Sequence, residues 1–192
     1  MDFPCGFISK NILSDEFVDQ KSVTPSNGPN AIGVVIKEAF VPFSEFDYDK
    51  VLVDQEGIRK VNPHRFEMML LDGILYTDED QAVGYLDVQE DAFWIRGHFP
   101  DRPLMPGVLI CESAAQLSSY YAITHGLVTS GMVGLGGLTD VRFRGPVVPG
   151  DRLTLMLRKG KARIDAMFNA AFQGFVNETL VVDGTIKGVA LR

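Results

Sequence analysis

Apolar and polar positions alternate along Arg152-Leu153-Thr154-Leu155-Met156-Leu157-Arg158, the period of a strand with one face toward a core. The runs 141–144, 162–175 and 179–191 also read as strands, with Asn177-Glu178 as the turn between the last two. Earlier in the chain, 68–76 and 82–88 read as strands separated by the acidic turn 77–81. Ala92-Phe93-Trp94-Ile95 is short, aromatic and β-branched, which predicts a strand fragment. A helix is predicted over 106–124: Pro106 suits its start, where the missing N–H has no partner to lose, and Gly126 suits its end. That helix is apolar around most of its circumference, as a helix enclosed by protein is. A Gly-rich stretch (Gly131, Gly134, Gly136, Gly137) follows it. One enclosed helix with long strands mostly after it predicts an α+β fold, a curved antiparallel sheet wrapped around a central helix.

The first sixty residues are less patterned. Residues 22–30 are turn formers and read as a loop, 34–36 suit a strand or a helix start, and 48–61 fit neither period. The expected organisation is an extension over 1–60, packed on a main domain over 61–192.

Candidate chemistry gathers where the fragment meets the helix. His98 lies in the Pro-punctuated turn His98-Phe99-Pro100-Asp101-Arg102-Pro103, and Glu112 lies 14 positions on, among Ile110, Cys111, Ala114 and Ala115 of the helix. A carboxylate there is costly without a partner or a task. Gln116, one turn later, is an available partner. Burial would raise the Glu112 pKa and keep it protonated, as a general acid must be. His64, beside Pro63 and Arg65, and His125, at the helix C-terminus, read as ordinary structural residues, whereas His98 alone is followed by a Pro-bounded turn leading into a helix start, and imidazole is the side chain suited to take a proton near neutral pH. Gly107 is either a plain helix-start residue or a bare N–H beside the positive end of the helix dipole. A base, an acid and an oxyanion site suffice to eliminate water next to a carbonyl.

Composition narrows the classes. The chain of 192 residues is 46% hydrophobic, enough for a sizeable core, and its net charge of −7 argues against nucleic acid as a main partner. No apolar run approaches bilayer length, no basic-plus-apolar leader is present, and Cys5 and Cys111 make no disulfide framework. These features predict a cytoplasmic protein without a membrane span. No Cys/His spacing suggests zinc, and no metal or cofactor is expected. The charge is uneven: residues 1–62 carry net −4, and 142–163 carry net +6. That basic stretch is either a solvated strand face or a dock for an acidic partner or a phosphate group.

The segment 97–116, Gly-His-Phe-Pro-Asp-Arg-Pro-Leu-Met-Pro-Gly-Val-Leu-Ile-Cys-Glu-Ser-Ala-Ala-Gln, resembles the signature of the hot-dog-fold (3R)-hydroxyacyl-acyl-carrier-protein dehydratases of bacterial type II fatty acid synthesis. Asn62-Pro63-His64-Arg65-Phe66 with Leu70-Leu71-Asp72, and residues 141–151, resemble two further motifs of that family in the same order. The resemblance covers about 60–192. It implies His98 as base, Glu112 as the group acting on the leaving hydroxyl, and Gly107 N–H on the thioester carbonyl. Phe99 and Gln116 join Gly107 as substrate-binding candidates. Glutamate at 112 resembles the general dehydratase branch. The resemblance also implies an acyl chain in an apolar tunnel beside the helix and a site shared between subunits of a homodimer, often a trimer of dimers. Acyl carrier protein would dock on Arg142, Arg144, Arg158, Lys159 and Lys161. Two departures stand out: residues 1–60 have no counterpart, and Ser113-Ala114 replaces bulkier or purely apolar residues. The alternatives are a hot-dog thioesterase or CoA-dependent enoyl hydratase, or a non-catalytic acyl or carrier-protein binder.

Overall fold

The computed structural model describes residues 38–192, so the readings made for 22–30 and 34–36 lie outside the described residues. Its elements run β1 (Val53–Asp54), α1 (Gln55–Arg59), β2 (Gly73–Thr77), β3 (Gln81–Asp87), α2 (Gly107–Thr124), β4 (Met132–Phe143), β5 (Arg152–Arg163), β6 (Met167–Val176) and β7 (Thr179–Leu191). The strands form one antiparallel sheet in the order β1-β2-β3-β5-β6-β7-β4. This is the α+β hot-dog arrangement: α2 packs against the strands β3 to β7.

Each face of the sheet carries a core cluster. Leu153, Leu155 and Leu157 join the core around Ala114, Leu117 and Tyr121 of α2. The intervening Met156 packs on the opposite face, in a second cluster with Val41, Leu75, Val83, Tyr85 and Phe175. Residues 39–48 cover that second cluster with Phe40, Phe43, Phe46 and Tyr48. Gln173, buried on β6, ties this segment down: its carbonyl accepts from Phe40 N–H at 2.9 Å and its amide donates to Glu38 O at 3.0 Å. The β5 alternation that suggested one exposed face therefore has Thr154 and Met156 buried, with Thr154 bonded to Tyr48.

Three local readings change. Residues 92–95 form consecutive turns rather than a strand, closed by Ala92 N–H to Gln89 O and Ile95 N–H to Ala92 O. No strand among the described residues pairs with them, and Trp94 turns inward to the core. The strand expected from residue 68 begins at Gly73, because Gln116 of α2 takes both Met68 O and Leu70 N–H, which a sheet partner would have used. The strand expected at 141–144 begins at Met132, so Gly134, Gly136 and Gly137 of the Gly-rich stretch lie in the first half of β4, carried by its pairing with β7 despite the poor strand propensity of glycine. Three expectations hold: α2 covers 107–124 and stops at Gly126 (φ 69°), β7 spans 179–191, and Asn177 and Glu178 both take the positive φ of a tight hairpin turn.

Candidate active site

His98 sits in the loop between β3 and α2. Its backbone N–H bonds to Trp94 O, and its ring stacks on Phe99 at 4.1 Å between centroids. Nδ1 lies 2.7 Å from Leu104 O. A carbonyl only accepts, so Nδ1 carries a proton, and in the neutral ring the free lone pair is on Nε2.

Glu112 lies in the second turn of α2, with its side chain 24% exposed. Oε1 accepts from Gln116 Nε2 at 2.9 Å, the i,i+4 partner that the sequence suggests. Gln116 is fully committed: its second amide proton goes to Met68 O, and its carbonyl accepts from Leu70 N–H. It therefore holds the carboxylate and the 68–70 backbone rather than facing a guest.

The second partner of Glu112 is His64, whose Nε2 lies 3.2 Å from Oε1. The sequence offered His64 as a structural residue and as part of the 62–66 motif without a role of its own, and this contact spans 48 positions. The Glu112 pKa is also corrected. The hydrogen bond from His64 is the largest effect and holds it below the ordinary carboxylate value; burial, the next largest, pushes the other way, and Gln116 and the charge of His64 add to the lowering. The expected rise considered burial without this partner.

Behind Glu112 is a cavity of about 50 Å³, lined by His64, Ser118, Ser119 and Leu135 among others. That is room for one or two waters. The hydroxyls of Ser118 and Ser119 are buried there without hydrogen-bond partners. His98 does not line this cavity, and no hydrogen bond or ion pair among the described residues joins it to Glu112.

Gly107 opens α2, where the first N–H groups of a helix have no internal acceptor. The Phe143 ring covers its Cα so closely that an added Cβ would fall 2.6 Å from Phe143 Cζ. Phe143 is itself 54% exposed on β4. Phe99, also about half exposed, faces His98 as described.

The basic stretch is not one patch. Arg144 pairs with Asp183 at 2.6 Å, Arg152 grips Asp87 through two nitrogens, Lys159 pairs with Asp80 at 3.0 Å, and Arg158 stacks over Phe40. Arg142, Lys161 and Arg163 are exposed, without ion pairs among the described residues. Register separates them: Arg163 lines up through Met167 and Val189 with Gly134, eight residues along β4 from Arg142. At about 3.3 Å per residue that is roughly 26 Å.

Among the described residues no group of His, Cys, Asp and Glu is arranged to hold a metal ion, and no helix is long and apolar enough to cross a membrane.

A family model described as a FabA-like domain matches residues 62–185. The 3-hydroxyacyl-acyl-carrier-protein dehydratase FabZ of Clostridium botulinum is 37% identical over 112 residues, 58% of this chain and 78% of the relative. The enzyme of the same name from Streptococcus agalactiae is 36% identical over 112 residues, 58% of this chain and 80% of the relative. Among solved structures, the dehydratase heterocomplex ApeI:P from Xenorhabdus doucetiae matches with a TM-score of 0.62 at 17% identity, over 70% of this chain and 91% of that one. A sigma28-regulated virulence protein from Campylobacter jejuni matches with a TM-score of 0.55 at 18% identity, over 72% of this chain and 90% of that one. At these identities the two structures speak for the fold.

Proposed function

This chain belongs to the FabA-like family, and we propose that it removes water from (3R)-3-hydroxyacyl thioesters on acyl carrier protein to give trans-2-enoyl thioesters. It is a hydro-lyase of fatty acid biosynthesis. The observation that carries the assignment of roles is the bond from His98 Nδ1–H to Leu104 O, which leaves Nε2 to take the proton from C2. As the enolate forms, its oxygen meets Gly107 N–H and the positive end of α2. One such donor contributes roughly 3–4 kcal/mol to the transition state. Glu112 protonates the departing hydroxyl. This reading places the protein in the cytoplasm with its carrier-bound substrate.

The shared site is part of the proposal. β4 is an edge strand, and Met132, Leu135, Leu138 and Phe143 are exposed along it. Its residues 133–135 also line the cavity behind Glu112. Pairing two copies along β4 covers this apolar edge, and it brings His98 of one subunit toward Glu112 of the other. Leu138→Glu is expected to yield monomer by sedimentation and to cost turnover with it, since burying one leucine contributes about 1.5–3 kcal/mol. A Leu138→Glu monomer with full turnover would mean that each chain holds a complete site.

Of the five bases expected to dock the carrier, docking is assigned to Lys161, with Arg163 beside it; Arg142, far along the sheet from them, is not part of that patch. Lys161→Glu combined with Arg163→Glu is expected to raise KM several-fold for a carrier-bound substrate, less so at high salt, and to leave KM for a pantetheine thioester unchanged. Equal effects on both substrates would exclude docking there.

The activity itself is tested by incubating the protein with 3-hydroxyacyl and, separately, trans-2-enoyl pantetheine thioesters. The same hydroxyacyl-to-enoyl ratio should be reached from either side, without free thiol. Accumulating thiol would instead indicate a thioesterase, and binding without conversion a non-catalytic module.

A further inference from the structure

The segment 62–65 is fastened to α2 and to itself in a way that delivers His64 to Glu112. Buried Asn62 donates from Nδ2 to Gln116 O at 2.9 Å. The Arg65 guanidinium donates to three carbonyls, those of Asn62 (2.9 Å), His64 (2.6 Å) and Arg59 (3.2 Å). The His64 ring then has one partner: Nε2 faces Glu112 Oε1 at 3.2 Å, while Nδ1 is buried with no hydrogen-bond partner among the described residues. Nε2–H and Oε1 are thus in direct hydrogen-bond contact, a path along which one proton can pass between the ring and the carboxyl.

We propose that His64 is a positioning residue for the elimination, holding the Glu112 carboxyl and supplying the proton that Glu112 passes to the departing hydroxyl. The C2–H bond breaks with its proton going to His98 Nε2. The C3–O bond breaks with its electron pair going to oxygen, which takes the proton of Glu112. Glu112, a carboxylate at rest, takes that proton from the His64 imidazolium as it hands it to the oxygen, so the pair ends as a neutral ring and a carboxylate. Exchange with solvent then removes the proton on His98 and recharges His64, so the enzyme is unchanged and water is the sole by-product.

The surroundings of the pair support this division of labour. Arg59 of α1 shares a small cavity with His64 and is paired with Glu56 at 2.8 Å. Arg65 is spent on backbone carbonyls, as above. The other groups of α2 at the cavity are Ala115, Ser118 and Ser119, and β4 and β7 present no titratable group to it. Among the described residues, Glu112 is thus the only acidic group that lines either cavity with His64.

The inference rests on the dehydratase reading, and its test keeps the two apart. kcat and KM are measured across the neutral pH range for wild type, His64→Gln and His64→Ala with a 3-hydroxyacyl pantetheine thioester. The Glu112 carboxyl is titrated by ¹³C NMR in the same proteins. Glutamine keeps an N–H for Glu112 but has no proton to give. In His64→Gln we expect kcat to fall at least about tenfold, KM to stay within about twofold, and the alkaline limb of the kcat profile to move. In His64→Ala the Glu112 titration should move upward, because the bond that holds it down is gone. A His64→Gln enzyme with wild-type kcat and pH profile overturns proton supply, and an unmoved Glu112 titration in His64→Ala overturns the contact. Wild type without any dehydration overturns the functional reading, and the titration still decides the contact.

Discussion

His98→Ala is expected to lower kcat by about 10²–10⁴-fold, the share of one general base, while KM for the thioester stays within a few-fold. Folding should survive. The ring is half-buried and its one polar anchor is Leu104 O, so the substitution removes a single hydrogen bond, about 1 kcal/mol net, that water can replace. The stacking on Phe99 is lost as well, but Phe99 is already about half exposed. A second readout locates the damage. Wild type in deuterated water should exchange the C2 proton of the substrate, and His98→Ala should not, since Nε2 is the group assigned to take it. A variant that still exchanges C2 and still turns over near the wild-type rate would remove His98 from the base role, and with it the oxyanion geometry built around Gly107.

What the sequence makes legible is what lies within a few residues along one element. The i,i+4 spacing of Glu112 and Gln116 predicts their bond, and Pro106 and Gly126 mark the ends of α2. The hairpin at 177–178 is legible because two small-loop residues interrupt two long apolar runs. Contacts that cross elements leave no such trace. His64 reaches Glu112 only because Asn62 grips the carbonyl of Gln116, a bond between residues 54 apart. Burial of Thr154 and Met156 depends on residues 39–48 lying over the sheet, which no periodicity in β5 reveals. The basic stretch is continuous in sequence, but strand register spreads it along the sheet, and Asp87, Asp183 and Asp80 from other strands and turns neutralise three of its members. The turn at 92–95 has strand-forming residues, but the sheet offers them no partner.

Glu112→Gln is the complementary substitution and should cost kcat about 10²–10⁴-fold for want of an acid. Glutamine preserves the volume and can still accept from Gln116 Nε2, so substrate affinity should hold. The His98 step should survive, so C2 exchange in deuterated water persists while loss of the hydroxyl does not, the reverse of the His98→Ala result. The substitution also has a stability signature with a definite sign. The folded pKa of Glu112 lies below its ordinary value because of His64, so this group stabilises the fold above the unfolded pKa, and that stabilisation is lost as pH falls through the folded one. The melting temperature of wild type relative to Glu112→Gln should therefore drop as pH is lowered from neutrality through the carboxylate range. A gap that widens on acidification would mean that the carboxyl is held protonated by burial, as the sequence alone suggested, and that His64 does not reach it in solution. A Glu112→Gln enzyme that eliminates hydroxide at near wild-type rate would show that the leaving group draws its proton from elsewhere, and the 50 Å³ cavity with its two serine hydroxyls would be the first place to look.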